Sequence, residues 1–172
     1  MPQMQIRDLG PCIIVWNSLE VGKSIGNVKV KFEQATADVQ EDQMGLTKVD
    51  LVTMGYKSQE VTVPATRLTL SQIETVTHNA VKTNQSVEFF NAAGEDLYDL
   101  SKELILKPAQ DGAAVADTNQ WWHFMKAYPI TKLDVGYGVK DQRVWDITFT
   151  VFPSLGTGSD FGLTHRIGPA IP

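Results

Sequence analysis

The chain has little cysteine and no long hydrophobic run, and both absences limit what it can be. Cys12 is the single cysteine among 172 residues, so an internal disulfide framework is excluded. The longest apolar runs are about five residues, whereas a helix that spans a bilayer needs about 20. No basic segment precedes an apolar run at the amino terminus, so the sequence predicts no signal peptide. We therefore expect a soluble protein with no membrane partner.

The chain also lacks an excess of positive charge. It has 15 lysines and arginines against 20 aspartates and glutamates, a net charge of -5. Proteins that bind nucleic acid by neutralising phosphates need a basic stripe, so that class is disfavoured. An acidic surface can still repel DNA and let it slide past.

Motifs for catalysis, metals and cofactors are missing as well. His78, His123 and His165 have no second ligand residue at metal spacing, and there is no nucleophile elbow, phosphate loop or dinucleotide fingerprint. Glu41 and Asp42 are adjacent on a predicted strand, so they point to opposite faces and cannot act together. The sequence predicts no catalytic, cofactor-binding or metal site, and we expect that the protein is not an enzyme.

Short strands dominate what is present. In Val144–Phe152 the apolar residues alternate with polar ones, as is typical of a half-buried strand. The other predicted strands are Pro11–Trp16, Val28–Asp42, Gln59–Thr69, Val87–Asn91, Leu97–Leu106 and Trp121–Leu133. Ala109–Thr118 and Asp134–Gln142 are predicted loops. Several strands with one helix favour a mostly-β sandwich or barrel, formed as a single domain over residues 1–172.

One helix is predicted, over Leu70–Lys82. Its apolar residues recur at the three- and four-residue spacing of a helix face. Either Thr69 or Ser71 can cap it, and Ser71 with Glu74 has the spacing of a capping box. This helix would flank the sheet and close one opening of the sandwich or barrel.

A long projecting hairpin is the most distinctive feature of the sequence. Its strands are Val28–Asp42 and Gln59–Thr69, joined by a connection over Gln43–Ser58. The apolar residues of the first strand change parity, from Val28, Val30 and Phe32 to Ala35, Ala37 and Val39. Such a change predicts a bulge that re-aims the side chains. A strand this long and weakly hydrophobic suits a sheet that neighbouring copies complete. Pro64 is expected to end good pairing in the second strand.

Two segments without a period flank the predicted strands. Met1–Leu9 is an expected N-terminal arm, and Ser154–Pro172 an expected C-terminal tail. Both contain apolar side chains, which gain nothing in a free arm. We therefore expect them to dock on neighbouring copies.

Four stretches carry a resemblance to a known family. They are Gly10–Asn17, Val28–Asp50, Glu60–Pro64 and Phe152–Ser154. In the second stretch Asp-Gln, then Gly, then Val-Asp follow the first long strand. In this order the segments resemble the tail tube proteins of long-tailed (siphovirus-like) bacteriophages, whose fold is similar to the tube proteins of contractile tails and type VI secretion.

The resemblance implies a structural virion protein of the phage tail. Six copies would form a hexameric ring, and rings would stack so that the long hairpins build a continuous β-barrel around a lumen. The tube would conduct the genome during ejection, with DNA passing through without specific binding. Its partners would be its own copies and the tape-measure, tail terminator and baseplate proteins. Self-assembly would take place in the host cytoplasm, and no cofactor is implied.

The resemblance also gives candidate residues for the two surfaces of such a tube. Six copies with a charge of -5 carry -30 per ring, and an acidic lumen would repel phosphate. Lumen-facing candidates on one face of the long strands are Asp38, Gln40, Asp42, Glu60 and Thr62. Candidates for docking on the next ring, in a connection expected to be disordered in the free subunit, are Asp50, Leu51 and Val52.

Two alternatives remain open from the sequence. The chain could be a tail terminator or baseplate ring protein, which would form a single ring and stop. It could also be a carbohydrate- or host-binding β-sandwich. The aromatic residues that would serve the second alternative are Trp121, Trp122, Trp145 and Tyr137.

Overall fold

A computed structural model describes residues 11–24, 26–40, 48–91, 93–132, 144–157 and 160–169. Within them the protein is mostly β, with two short helices. The strands are β1 (Cys12–Trp16), β2 (Leu19–Glu20), β3 (Lys23–Ser24), β4 (Lys29–Gln40), β5 (Lys48–Thr66), β6 (Ala80–Thr83), β7 (Ser86–Phe89), β8 (Lys102–Gln110), β9 (Ala113–Ala114), β10 (Trp122–Lys132), β11 (Trp145–Phe152) and β12 (His165–Ile167). The helices are α1 (Leu70–Val76) and α2 (Leu97–Leu100).

Ten strands form one large antiparallel sheet. Its main path runs β2-β1-β8-β10-β11-β5-β3; in addition β4 pairs with β5, β12 with β10 and β9 with β8. β6 and β7 make a separate two-stranded sheet. The large sheet confirms the mostly-β prediction and places β4 and β5 as an extension of it.

Alternation along the central strands places the core. Ile147 and Phe149 of β11 are fully buried, as are Val61 and Val63 of β5 directly opposite them. Trp16 is also buried in the core, and its indole Nε1 donates to the carbonyl oxygen of Ala127 at 2.9 Å. The alternating pattern predicted for Val144–Phe152 is therefore confirmed, because alternate side chains of β11 are buried on one face of the strand.

The predicted helix is shorter in the structure. α1 ends at Val76, so the prediction of a helix over Leu70–Lys82 is wrong for its last six residues. Ala80–Thr83 is β6, which pairs with β7. Thr69 caps the helix and forms the capping box with Gln72, so the predicted box of Ser71 and Glu74 is wrong. The Glu74 carboxylate instead accepts from the backbone N–H of Lys82 at 2.9 Å, which fixes β6 against the helix.

A second helix replaces part of a predicted strand. Leu97–Leu106 was expected to be extended, but Leu97–Leu100 is α2. Asp96 is its N-cap, accepting from the backbone N–H of Tyr98 at 2.9 Å. Asp stabilises helix starts in this way, and here the cap outweighs the strand pattern.

Prolines interrupt pairing less than expected. The strand predicted to end at Leu106 continues through Pro108 to Gln110, as β8. Pro64 lies inside β5, which continues to Thr66. Pro64 pairs with Asp146 of β11, whereas on its other side neither β3 nor β4 pairs with it. The expected end of pairing at Pro64 is therefore wrong.

The C-terminal segment is partly in the sheet. His165–Ile167 is β12, antiparallel to Trp122–Phe124 of β10. The prediction that Ser154–Pro172 lacks regular structure is therefore wrong for these residues, because three residues are too few to show a period. Met1–Leu9 and Asp134–Gln142 lie outside the described residues. Neither helix of the described chain is long and apolar enough to cross a membrane.

Candidate assembly surface

The extended hairpin of β4 and β5 leaves the sheet beyond Glu60. β5 pairs with β11 only over Glu60–Ala65, whereas it pairs with β4 from Thr62 outwards to Lys48. The predicted connection over Gln43–Ser58 is thus wrong for Lys48–Ser58, which is strand. Its apolar residues are exposed on both faces, so the sequence shows no alternation there. Gln43–Thr47 lies outside the described residues.

Irregular pairing bends this hairpin. The register shifts between Glu33 and Gln34, between Gln34 and Thr36, and again after Val39. At each shift β5 has one residue more than β4, and Gly55, at a backbone φ of 88°, lies in the second. Bulges do follow Phe32 as predicted, but their extra residues belong to β5, so the prediction that they re-aim the side chains of the first strand is wrong. Bulges strengthen strand twist, so they turn the hairpin out of the sheet.

Within the described part of the chain, both edges of the extended hairpin are open. Among the described strands, β4 has β5 as its single neighbour along its 12 residues. The outer part of β5, residues 48–59, pairs with β4 alone. Unpaired edges present rows of backbone donors and acceptors that can pair with another chain.

The two faces of the extended hairpin differ in character. β4 alternates without interruption because the extra residues lie on β5. We call one side the apolar face: Ala35, Ala37 and Val39, with Val52 opposite Ala37 and the single acidic residue Asp50 opposite Val39. We call the other side the polar face: Gln34, Thr36 and Asp38, with Leu51, Thr53 and Tyr56 opposite them. On the polar face the amide of Gln34 donates to the hydroxyl of Thr53 at 2.8 Å.

The lumen candidates do not share one face. Asp38 lies on the polar face, whereas Glu60 and Thr62 pair with Lys31 and Lys29, on the side of β4 that carries the apolar face. The single-face prediction is therefore wrong, because the bulges of β5 change its parity relative to β4. Gln40 pairs with Lys48 at the end of the described hairpin, and Asp42 lies outside the described residues.

The base of the extended hairpin carries mixed charge. The Glu33 carboxylate lies 3.2 Å from Nζ of Lys57 and 3.6 Å from Nζ of Lys31. The hydrogen bond and charge of Lys57, followed by the charge of Lys31, lower the pKa of Glu33. The net negative charge of the chain is therefore not concentrated at the base of the hairpin.

The docking candidates Asp50, Leu51 and Val52 lie within β5. The carboxylate of Asp50 accepts from the backbone N–H of Leu51 at 2.7 Å. Leu51 and Val52 are each about half exposed, at 48% and 49%, and point to opposite faces. They are paired strand residues, so they are not parts of a disordered connection.

The three tryptophans considered for carbohydrate binding, all of them described, do not form an open platform. The indole Nε1 of Trp121 donates to the carbonyl of Val115 at 3.0 Å, and Nζ of Lys107 covers its ring. Trp122 stacks with Phe124, and Trp145 packs against the core. Tyr137 lies outside the described residues.

The histidines have protein partners that sequence spacing did not indicate. His78 Nδ1 lies 2.5 Å from the hydroxyl of Tyr128, and His123 Nδ1 lies 2.8 Å from the Glu103 carboxylate. No group of three metal-ligating side chains occurs in the part of the chain that the structure describes.

The extended hairpin is the candidate binding surface, because its open edges can pair with another strand. No protein-family model matches the chain, and no curated protein matches it.

Proposed function

We propose that the protein is a self-assembling structural subunit whose extended hairpin is completed by neighbouring copies, and that it builds a phage tail tube. The observation that carries the proposal is the extended hairpin with both edges open. The sequence resemblance supplies the tail tube, the hexameric ring and the stacking of rings.

Strand addition between copies is the proposed mode of assembly. The open edges lie on opposite sides of the hairpin, so β4 of one copy can pair with the outer part of β5 of the next. Repeated head-to-tail contacts of this kind form a closed ring when the rotation closes. Each new backbone hydrogen bond contributes about 1 kcal/mol, so a ladder of several residues is a substantial contact.

A closed ring would give the two faces different environments. The apolar face carries small residues together with Val39 and Val52, which are 38% and 49% exposed in the single chain. Packing this face on protein would remove it from water. The polar face, with Asp38, would then line the channel. The channel wall would then carry neutral polar side chains and the negative charge of Asp38. DNA would meet no basic stripe to which its phosphates could bind.

Two matched substitutions test this assignment. Ala37→Arg places a charge on the apolar face, and Thr36→Arg places the same charge on the adjacent polar face. We expect the wild type and Thr36→Arg to form rings or tubes under negative-stain electron microscopy, and Ala37→Arg to stay unassembled although folded by circular dichroism.

The same micrographs separate the alternatives. Single rings that never stack would favour a tail terminator or baseplate role. A monodisperse monomer at every concentration and salt tested would refute assembly itself. Equal loss of assembly in both variants would refute the assignment of faces.

A further inference from the structure

β12 joins the sheet where the extended hairpin leaves it. It pairs with Trp122–Phe124 of β10, directly beyond the end of the β10–β11 ladder at Lys126. The β5–β11 ladder ends at Glu60, and Phe32 of β4 lies one residue further out. The C-terminal strand is therefore next to the base of the hairpin.

His165 connects these two elements through ring stacking. Its imidazole lies 4.3 Å from the ring of Phe32, centroid to centroid, with 18° between the planes. On β10 it stacks with Trp122 at 6.1 Å and 10°, and it contacts Phe124 at 6.2 Å. Phe32 is the last core-facing residue before the first bulge, so this stack holds the hairpin where its direction changes.

Among the described residues that pack on His165, none supplies a charge to balance a proton. Its ring partners on β4 and β10 are not titratable, and its Nδ1 lies 2.9 Å from the hydroxyl of Thr164. On β4, Lys31 and Glu33 alternate with Phe32 and point away from the stack; Arg166 does the same on β12. On β5, Tyr56 packs on Phe32 at 5.7 Å, centroid to centroid.

We propose that the stack of Phe32, His165 and Trp122 is a pH-sensitive clasp, which fixes the extended hairpin at neutral pH and releases it when His165 takes up a proton. The clasp belongs to a single subunit, so it does not depend on assembly. In an assembling protein it would make the hairpin's direction, and with it ring closure, respond to acid.

The direction of the effect follows from burial. Desolvation lowers the pKa of His165 below its ordinary value of 6.5. The unfolded or released state therefore binds the proton more readily than the clasped state. The stabilisation is complete above about pH 6.5 and is lost as pH falls through the lowered pKa of the clasped histidine.

The test is an NMR titration of the full chain between pH 8 and pH 4.5. We expect the His165 imidazole to titrate below 6.5, and the amide protection factors of β12 and of the hairpin base to fall at least tenfold through the same midpoint. His165→Phe keeps the stacking and removes the proton, so its protection factors should stay level. His78→Gln, which alters a histidine outside the stack, should behave as the wild type.

A second variant covers the possibility that His165→Phe fails to fold. Phe32→Leu removes one ring of the stack and exposes the imidazole, so the His165 midpoint should rise towards 6.5. An unchanged midpoint would overturn the proposal. So would protection factors that fall with pH in His165→Phe as they do in the wild type.

Discussion

At the residue scale, the core depends on side chains that alternate along β5 and β11. Phe149 is fully buried and lies 6.1 Å from the ring of Trp16, centroid to centroid. Its neighbour Thr148 points to the other face and is half-buried. The alternation visible in the sequence identifies this face correctly because a period of two follows directly from strand geometry.

Replacing Phe149 with Ala should destabilise the protein by about 3–5 kcal/mol, because a buried ring is lost and the cavity closes only in part. Chemical denaturation measures this, with Thr148→Ala as the control, where we expect a much smaller change. A loss below about 1 kcal/mol for Phe149→Ala would show that this face is not the core.

Charge on the two faces of the extended hairpin should have different consequences. In the proposed ring, Asp38→Lys adds a positive charge to the channel at each copy, whereas Glu60→Lys acts on the opposite side of the hairpin, beside Lys31. We expect genome ejection from phage carrying Asp38→Lys to slow, most at low salt where screening is weakest. Particle assembly should survive this change.

Glu60→Lys should leave the rate of ejection close to that of the wild type in particles that assemble. Slower ejection with Glu60→Lys and normal ejection with Asp38→Lys would reverse the assignment of the channel face.

At the scale of elements, the sequence predicts well where one face is buried and poorly where both faces are exposed. β10 and β11 were predicted to within one residue at each end. The outer part of β5 was missed because Leu51, Val52 and Tyr56 are all exposed, so no alternation marks the strand. α2 was missed because its signal is a single cap, Asp96. For the assembly surface, the sequence predicted the projecting hairpin and a bulge in it. The assignment of residues to its two faces could not be predicted, because it depends on which residues of β4 and β5 are paired.

β12 should contribute to the stability of the fold. Truncation after Leu163 removes its ladder with β10 and the ring of His165 from the stack. We expect a loss of about 2 kcal/mol, comparable to exposing one large apolar group. Arg166→Ala, which alters an exposed side chain of the same strand, is the control and should change little. Thermal melting at pH 7.5 measures both, and equal stability of the truncated and full chains would contradict the role of β12.

At the scale of the whole molecule, a large sheet forms the body and the extended hairpin stands beyond it. The body contains the buried core, although Leu155 and Phe161 on it are exposed, whereas the hairpin has open edges and exposed residues such as Met54, at 69%. In a single chain this arrangement invites pairing with other copies. We therefore propose, above all, that neighbouring copies complete the hairpin.

Amide hydrogen exchange along β4 tests this claim most directly. In an antiparallel strand, alternate N–H groups point to the two sides, so every second amide of Lys29–Gln40 faces β5 and the others face the open edge. We expect the open-edge amides to exchange fast in the free subunit and to become protected in assembled rings or tubes, while those facing β5 are protected in both states. Open-edge amides that still exchange fast in assembled particles would contradict the account.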